Sequence, residues 1–504
     1  MIDEHKSLSE KFIKKGFWLY LFSFIIAPIG YIVKIIISNE LTVEEVGVIY
    51  GVMSLIMLLS SFNDLGLTES LNYFLPKYIA VKDYVKAKSM LTYAMLAQII
   101  TSTIIGAFLI WGDNYLALNY FHHKESADII FIFAFFFFGN NFFHIISTFF
   151  GSIQNTFYQK IIELIRMLFT LFLVVGVWFF DIGDIRTFSE AWIGGMYIGM
   201  LFAAFFFFKK YYFPYFKQEK ALWDKELFKT LFSYAMMILL AYQAGTILSQ
   251  IDMQMIIYML GMTDAGYYTN YLSIIGIPFM IIGPIFAFLF PVFSHLHGSK
   301  DYEKITTIRQ IFTKYFTVIA IICSTLFFVF GPIISYILFG TKFLESGVIL
   351  QYSIFFLVFN FLLQINFNIL GGTGRVKERV KIILIAIVVN MITNYLLIKW
   401  IGVAGASLAT GLGWFVIYAL SEKLLFKEYK ITYDWNFIIK NIALSIILGT
   451  LTWIFLIPHF TGLARGISFT YLVLYTLVFA GFFAVLNKSE FGMFIGEIKK
   501  IRKR

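Results

Sequence analysis

Lys34 and Asp252 are the charges whose placement most suggests chemistry, because each lies within a long apolar run. An ionisable side chain at bilayer depth costs roughly 2.5–3.5 kcal/mol to insert, so it usually faces protein or water and marks a path for ions or substrate. Counted from Gly16, Lys34 lies about 27 Å along its helix, near the outer interface, where snorkelling is the alternative to a cavity role. Glu163 and Arg166 are spaced i,i+3 and can pair on one face at the inner membrane edge; a substrate clamp at Arg166 is the other reading. Neutral polar residues recur at i,i+4 in three sets: Asn140, His144 and Thr148; Asn360, Gln364 and Asn368; Asn390 and Asn394. Each set occupies one helix face. Such faces line a wet cavity suited to sugar hydroxyls, or bond to neighbouring helices, and spacing alone leaves both open.

Motifs for covalent or metal chemistry are missing. The chain has no His-Glu-x-x-His helix, no Gly-x-Ser-x-Gly elbow and no Walker A loop. Gly371-Gly372-Thr373-Gly374-Arg375 lacks the Lys-Ser/Thr ending of a phosphate cradle and reads as a tight inner turn. His122-His123 and the Asp181/Asp184 pair fall in short outer loops, where metal binding or help in glycosyl transfer competes with ordinary loop polarity. Cys323 is alone, so neither a disulfide nor a thiolate metal site is available. We therefore expect no enzyme, no cofactor and no resident metal.

The elements that must position these groups are membrane helices. With 60% hydrophobic residues, 14% charged residues and a mean hydropathy of +0.80, the chain has too little polar surface for a soluble globule. About fourteen apolar runs approach the roughly 20 residues needed to span. Basic residues concentrate in alternate loops and both tails, while the opposite loops hold only Lys124, Arg186, Lys342, Lys399 and Arg465. By the positive-inside rule both termini are cytoplasmic, in the cell membrane. Topology thus accounts for the net charge of +10 without a nucleic-acid partner. The tail Lys499–Arg504 can rest on anionic lipid or remain solvated.

An internal echo organises the helices. Leu41-Thr42-Val43-Glu44-Glu45-Val46-Gly47 matches Leu260-Gly261-Met262-Thr263-Asp264-Ala265-Gly266 about 219 residues later, with leucine, acid and glycine in register. Ser54 and Ser273, Lys82-Asp83-Tyr84 and Lys300-Asp301-Tyr302, and Gly151 and Gly371 continue it. Both opening copies lie in basic-poor outer loops, so the halves share one orientation, as parallel repeats. We expect an N-terminal lobe at 1–208, a cytoplasmic linker with Pro214 at 209–231, a C-terminal lobe at 232–430, and two extra helices with a basic tail at 431–504. The register brings Asp252 to the level of Lys34. Both are then expected to face a central cavity, where they pair, bind a coupling cation or meet a charged cargo. Gly405, Ala409 and Gly413 favour close helix packing, and Pro28, Pro278, Pro284 and Pro332 offer places to bend.

The chain resembles the polysaccharide-lipid flippases of the multidrug/oligosaccharidyl-lipid/polysaccharide exporter superfamily. The likeness runs from Leu41–Gly47 through Asn63-Asp64-Leu65-Gly66-Leu67, then Leu260–Gly266, Leu338-Phe339-Gly340 and Gly374-Arg375. Its most specific stretch joins Val389-Asn390, Asn394-Tyr395-Leu396-Leu397-Ile398 and Gly402-Val403-Ala404-Gly405-Ala406-Ser407-Leu408-Ala409-Thr410. The resemblance implies two six-helix lobes plus two C-terminal helices around a V-shaped cavity. It also implies alternating access that carries a polyprenyl-pyrophosphate oligosaccharide to the outer leaflet, for O-antigen, capsule or exopolysaccharide. Sodium or proton coupling stays open, and expected partners are the lipid-linked oligosaccharide, membrane lipids and other polysaccharide-assembly membrane proteins. Relatives that move acidic glycans carry several basic cavity residues; here only Lys34 and Arg166 qualify, which argues against a strongly acidic cargo. A cation-coupled drug exporter of the same superfamily is the nearest alternative. A membrane glycosyltransferase or polymerase, which needs a sizeable outer catalytic loop, is the other.

Overall fold

The computed structural model describes the backbone at residues 2–63, 65–460, 462–488 and 490; side chains are described from residue 21 within these ranges, except 237, 238 and 240–242. Asp64 and the basic tail Lys499–Arg504 fall outside the described residues. The chain forms α1 (Ile2–Glu40), α2 (Val43–Asn63), α3 (Leu67–Ala80), α4 (Tyr84–Asn119), α5 (Ser126–Ser152), α6 (Thr156–Phe179), α7 (Ile185–Phe207) and α8 (Lys225–Met259). There follow α9 (Met262–Gly298), α10 (Tyr302–Phe339), α11 (Leu344–Ser353), α12 (Leu357–Gly372), α13 (Val376–Ile401), α14 (Val403–Leu425), α15 (Trp435–Phe455) and α16 (Arg465–Leu486). A π-helical turn, Phe208–Phe216, prolongs α7. Among the described residues there is no strand, and 13 stretches are long and apolar enough to cross a membrane. At 35 residues, α8 also has the length to cross. The protein is an all-α, multi-pass membrane protein, as its composition predicts.

Chain contacts separate two compact units, Met1–Thr269 with Ile383–Val403, and Asn270–Ile382 with Ala404–Arg504. In the first, α5 packs against α4, α7, α2 and α3, while α6 lies on α7 and α1. Small residues set the α6–α7 approach: a Cβ on Gly195 would lie 2.1 Å from Thr170 Oγ1, and one on Gly199 2.5 Å from Arg166 Cβ. Lipid cannot drive helices together by the hydrophobic effect, so such close packing supplies the attraction. In the second unit α10 is the hub, touching α11, α12, α15 and α16. Gly405, Ala409 and Gly413 are all buried there or at its edge, as a packing stripe requires.

Helix starts follow local capping chemistry. Asp83, Asn155, Asp184, Asp224, Asp301 and Asp434 each accept a backbone N–H of the helix they begin. The sequence echo reappears here as geometry. Lys82 and Lys300 both adopt φ 58°; Asp83 Oδ1 takes the Lys86 N–H at 3.0 Å, and Asp301 Oδ1 the Lys304 N–H at 3.1 Å. Gln154 at φ 57° and Gly374 at φ 76° likewise turn corresponding corners. The two stretches thus form turns of the same local geometry although only a few residue types match.

The terminal helices are tied to α10 by charge. Lys314 Nζ lies 2.9 Å from Asp434 Oδ2 and 2.7 Å from Glu490 Oε2. The hydrogen bond from Lys314, then that from the Phe437 N–H, holds the Asp434 carboxyl below its ordinary value. A depressed carboxylate stabilises the fold above its unfolded pKa, about 3.9, and loses that contribution as pH falls through the folded value. The attachment is expected to be constant from neutral pH to about 5 and to weaken below about 4, read as faster proteolysis near residue 434.

Candidate functional site

Three of the sequence-selected residues meet in the first unit. Asp252 of α8, 4% exposed, accepts the Tyr268 hydroxyl at 3.0 Å and Asn394 Nδ2 at 2.5 Å. Asn394 Nδ2 also donates to Asn390 Oδ1 at 3.0 Å, one turn earlier on α13. Both asparagines are buried, and Asn394 Oδ1 makes no hydrogen bond among the described residues. A carboxylate beside amide oxygens is a hard-oxygen donor set of the kind that suits a small cation or a proton. Among the described residues no cluster of three or more His, Cys, Asp or Glu could hold a metal, so amides would have to complete any ion shell.

Lys34 is held separately. Its Nζ donates to the Thr269 carbonyl at 2.7 Å and to Thr269 Oγ1 at 2.8 Å, and stands 4.2 Å from the centre of the Tyr50 ring. Trp192 packs edge-on against that ring, and the Tyr50 hydroxyl is buried with no hydrogen-bond partner among the described residues. The two charges therefore form no pair. They are held by consecutive residues of α9, Tyr268 for the acid and Thr269 for the base.

The remaining candidates lie apart. Among the described residues the close ion pair of Glu163 is with Lys160, at 2.7 Å, and not with Arg166, although both lie three residues from it. The Arg166 guanidinium instead faces the Phe143 ring at 5.4 Å, and its Nε is buried with no hydrogen-bond partner among the described residues. On α5, Thr148 is buried, Asn140 half-buried and His144 exposed, so that stripe is not one uniform face. On α12 of the second unit, Gln364 Nε2 donates to Asn360 Oδ1 at 3.4 Å and Asn368 Nδ2 to the Gln364 carbonyl at 2.8 Å, giving a chain of bonds along the helix. Among the loop groups, Asp184 caps α7 in a capping box with Thr187, and His123 lies 3.4 Å from Glu44. These are structural uses of polarity.

Two buried networks escaped sequence reasoning. In the first unit Asn63 Nδ2 donates to Ser102 Oγ at 2.9 Å, and Gln98 Nε2 to the Asn141 carbonyl at 2.9 Å. In the second, fully buried Arg309 on α10 reaches Glu422 Oε2 at 2.6 Å and the Tyr429 carbonyl, while Asn366 Nδ2 donates to Ser421 Oγ at 3.1 Å and to the same Glu422 oxygen at 3.2 Å. Asn366 was hidden because the i,i+4 stripe at 360, 364 and 368 drew attention to another face. Arg309 and Glu422 flank apolar runs and read as ordinary inner-loop charges. Breaking a buried ion pair by removing one partner typically costs about 3–5 kcal/mol. Arg309→Met is expected to lower the melting temperature strongly, whereas Arg309→Met with Glu422→Gln recovers part of the loss.

Residues 12–297 match the model of a family described as "Polysaccharide biosynthesis protein". The chain belongs to that family. An uncharacterized membrane protein of Methanocaldococcus jannaschii is 29% identical over 435 residues, 82% of this chain and 83% of that relative. Among solved structures, the lipid II flippase MurJ in an inward closed conformation superposes with a TM-score of 0.64 at 12% identity, covering 94% of this chain and 99% of that one. An inward-facing multidrug-resistance MATE transporter of the MOP superfamily gives 0.63 at 15% identity, covering 86% and 94%. At these identities the likeness shows the fold alone: this member of the polysaccharide biosynthesis family shares its fold with those two proteins.

Proposed function

We propose that this chain carries a lipid-linked oligosaccharide, on a polyprenyl pyrophosphate, from the cytoplasmic to the outer leaflet of the cell membrane for assembly of a surface polysaccharide. The observation that carries the reading is the family match at residues 12–297 on a chain with transporter architecture. Alternating access is the mechanism, with both termini cytoplasmic, as the loop charges favour. The Asp252, Asn390 and Asn394 cluster is the coupling site for sodium or a proton, and Lys34 answers to it through Thr269 and Tyr268 of α9. Other polysaccharide-assembly membrane proteins would then supply the cargo or receive it.

The test is reconstitution in liposomes with a fluorescent polyprenyl-pyrophosphoryl oligosaccharide, with and without sodium and proton gradients. Leaflet transfer under one gradient is expected, and its absence under every gradient removes the proposal. Lys34→Ala is expected to slow transfer by about 10-fold, equivalent to 1.4 kcal/mol in the limiting step. A cation-coupled drug exporter is the second reading, favoured by the likeness to a MATE transporter. Export of cationic dyes together with indifference to lipid-linked sugars would select it.

A further inference from the structure

The segment between α7 and α8 is not a slack tether. Lys88 Nζ on α4 donates to the Phe216 and Glu219 carbonyls at 2.9 and 2.8 Å. The Ser89 hydroxyl accepts the Leu222 N–H at 2.9 Å, and Tyr93 donates to the Leu222 carbonyl at 2.6 Å while accepting the Asp224 N–H at 2.8 Å. Phe216 is buried as an anchor, and the Tyr211 hydroxyl takes a hydrogen bond from Asn155 at 2.7 Å. These bonds fix the strap to α4, and Trp223 packs edge-on against Tyr93 at 5.2 Å and stacks on Phe228 at 5.7 Å, which leaves one part of its ring covered and the rest open. Phe213 is 56% exposed and Trp223 73%, beside exposed Lys209, Lys210, Lys217 and Lys220.

Inner-side topology accounts for lysines in this connection, but not for large aromatic rings left open among them. Aromatic rings beside lysines are the composition of a membrane–water boundary, where rings lie at headgroup depth and ammonium groups meet phosphates. We propose that the strap is a docking surface for anionic phospholipids of the inner leaflet, with Trp223 and Phe213 inserted at headgroup depth and the four lysines holding phosphate groups. Charge complementarity sets the occupant: the lysines outnumber Glu219, the acid between Lys217 and Lys220, and Asp224 is committed to capping α8. None of the four lysines donates a hydrogen bond among the described residues; Lys209 and Lys217 stand 5.2 and 5.8 Å from the Phe205 and Phe213 ring centres, contacts that leave their N–H donors open to a phosphate.

Full-length protein is reconstituted in phosphatidylcholine vesicles with about one-third phosphatidylglycerol, the acyl chains of one lipid being brominated at a time. The Trp223 signal is taken as wild type minus Trp223→Phe. Brominated phosphatidylglycerol is expected to quench about threefold more than brominated phosphatidylcholine at equal mole fraction, since each lysine near an anionic surface is worth up to about fivefold in local lipid enrichment. About 0.5 M salt should shrink the preference. The quadruple variant Lys209→Gln, Lys210→Gln, Lys217→Gln, Lys220→Gln should abolish it with an unchanged melting temperature. Equal quenching by both lipids, an unquenched Trp223, or a preference that survives in the quadruple variant overturns the proposal. Loss of the preference on adding inorganic phosphate alone, at constant ionic strength, overturns it in favour of a soluble phosphate site.

Discussion

Asp252→Asn is expected to lower gradient-driven transport by about 100-fold, a loss of 2.7 kcal/mol in the limiting step, while the protein still folds. The substitution keeps the side-chain volume and one acceptor oxygen for the Tyr268 hydroxyl or Asn394 Nδ2. What it removes is the negative charge, and with it the strongest ligand that a cation or proton would find among Asn390 and Asn394. Ligand linkage supplies an independent measurement. A cation at 100 times its dissociation constant stabilises the folded protein by about 2.7 kcal/mol. Wild-type protein should therefore melt at higher temperature with the coupling ion present, and Asp252→Asn should show no such rise. A variant that keeps both gradient dependence and ion-dependent melting would sink the coupling site.

Gly47→Leu and Gly266→Leu are expected to be as severe, for a steric reason. A Cβ on Gly47 would lie 1.9 Å from the Met262 carbonyl oxygen, and a Cβ on Gly266 would lie 2.0 Å from the Val43 carbonyl oxygen. Val43 and Met262 occupy the same place in the two copies of the echo, as do Gly47 and Gly266, so the copies touch reciprocally, backbone on backbone. No rotamer change relieves a clash with a carbonyl. The two helix starts must move apart, and overpacking of this kind costs about 1–3 kcal/mol, with the upper end expected where backbone has to shift. Even Gly47→Ala is expected to lower the melting temperature, and a cysteine placed at position 43 should become more reactive toward an aqueous thiol reagent. Unchanged melting with unchanged reactivity would show that the contact is dispensable.

Much of the fold was legible because bilayer chemistry leaves few choices. A segment of about 20 apolar residues must be a helix there, since only a helix satisfies its own backbone. The Gly371–Arg375 stretch forms the expected turn between α12 and α13, whereas the capping by Asp83, Asp184, Asp301 and Asp434 is visible only in the structure. Spacing also placed Asn390 and Asn394 on one face of α13, where they are buried together.

Partner choice was not legible, because it depends on which helix lies opposite and how it is rotated. Lys160 and Arg166 are equally spaced from Glu163, and only packing decided that Lys160 takes it, leaving the Arg166 stem against Gly199 and its guanidinium over Phe143. Arg309 and Glu422 are far apart in the chain and carry no mutual signal, yet they share a buried ion pair. Sequence by itself determined a multi-pass helical protein, a duplicated pattern of turns, and a short roster of charges that membrane burial makes costly. Tertiary structure alone decided that Lys34 and Asp252 do not neutralise one another. Each is bound by one of two adjacent residues on α9, because consecutive side chains leave a helix about 100° apart and so face different neighbours.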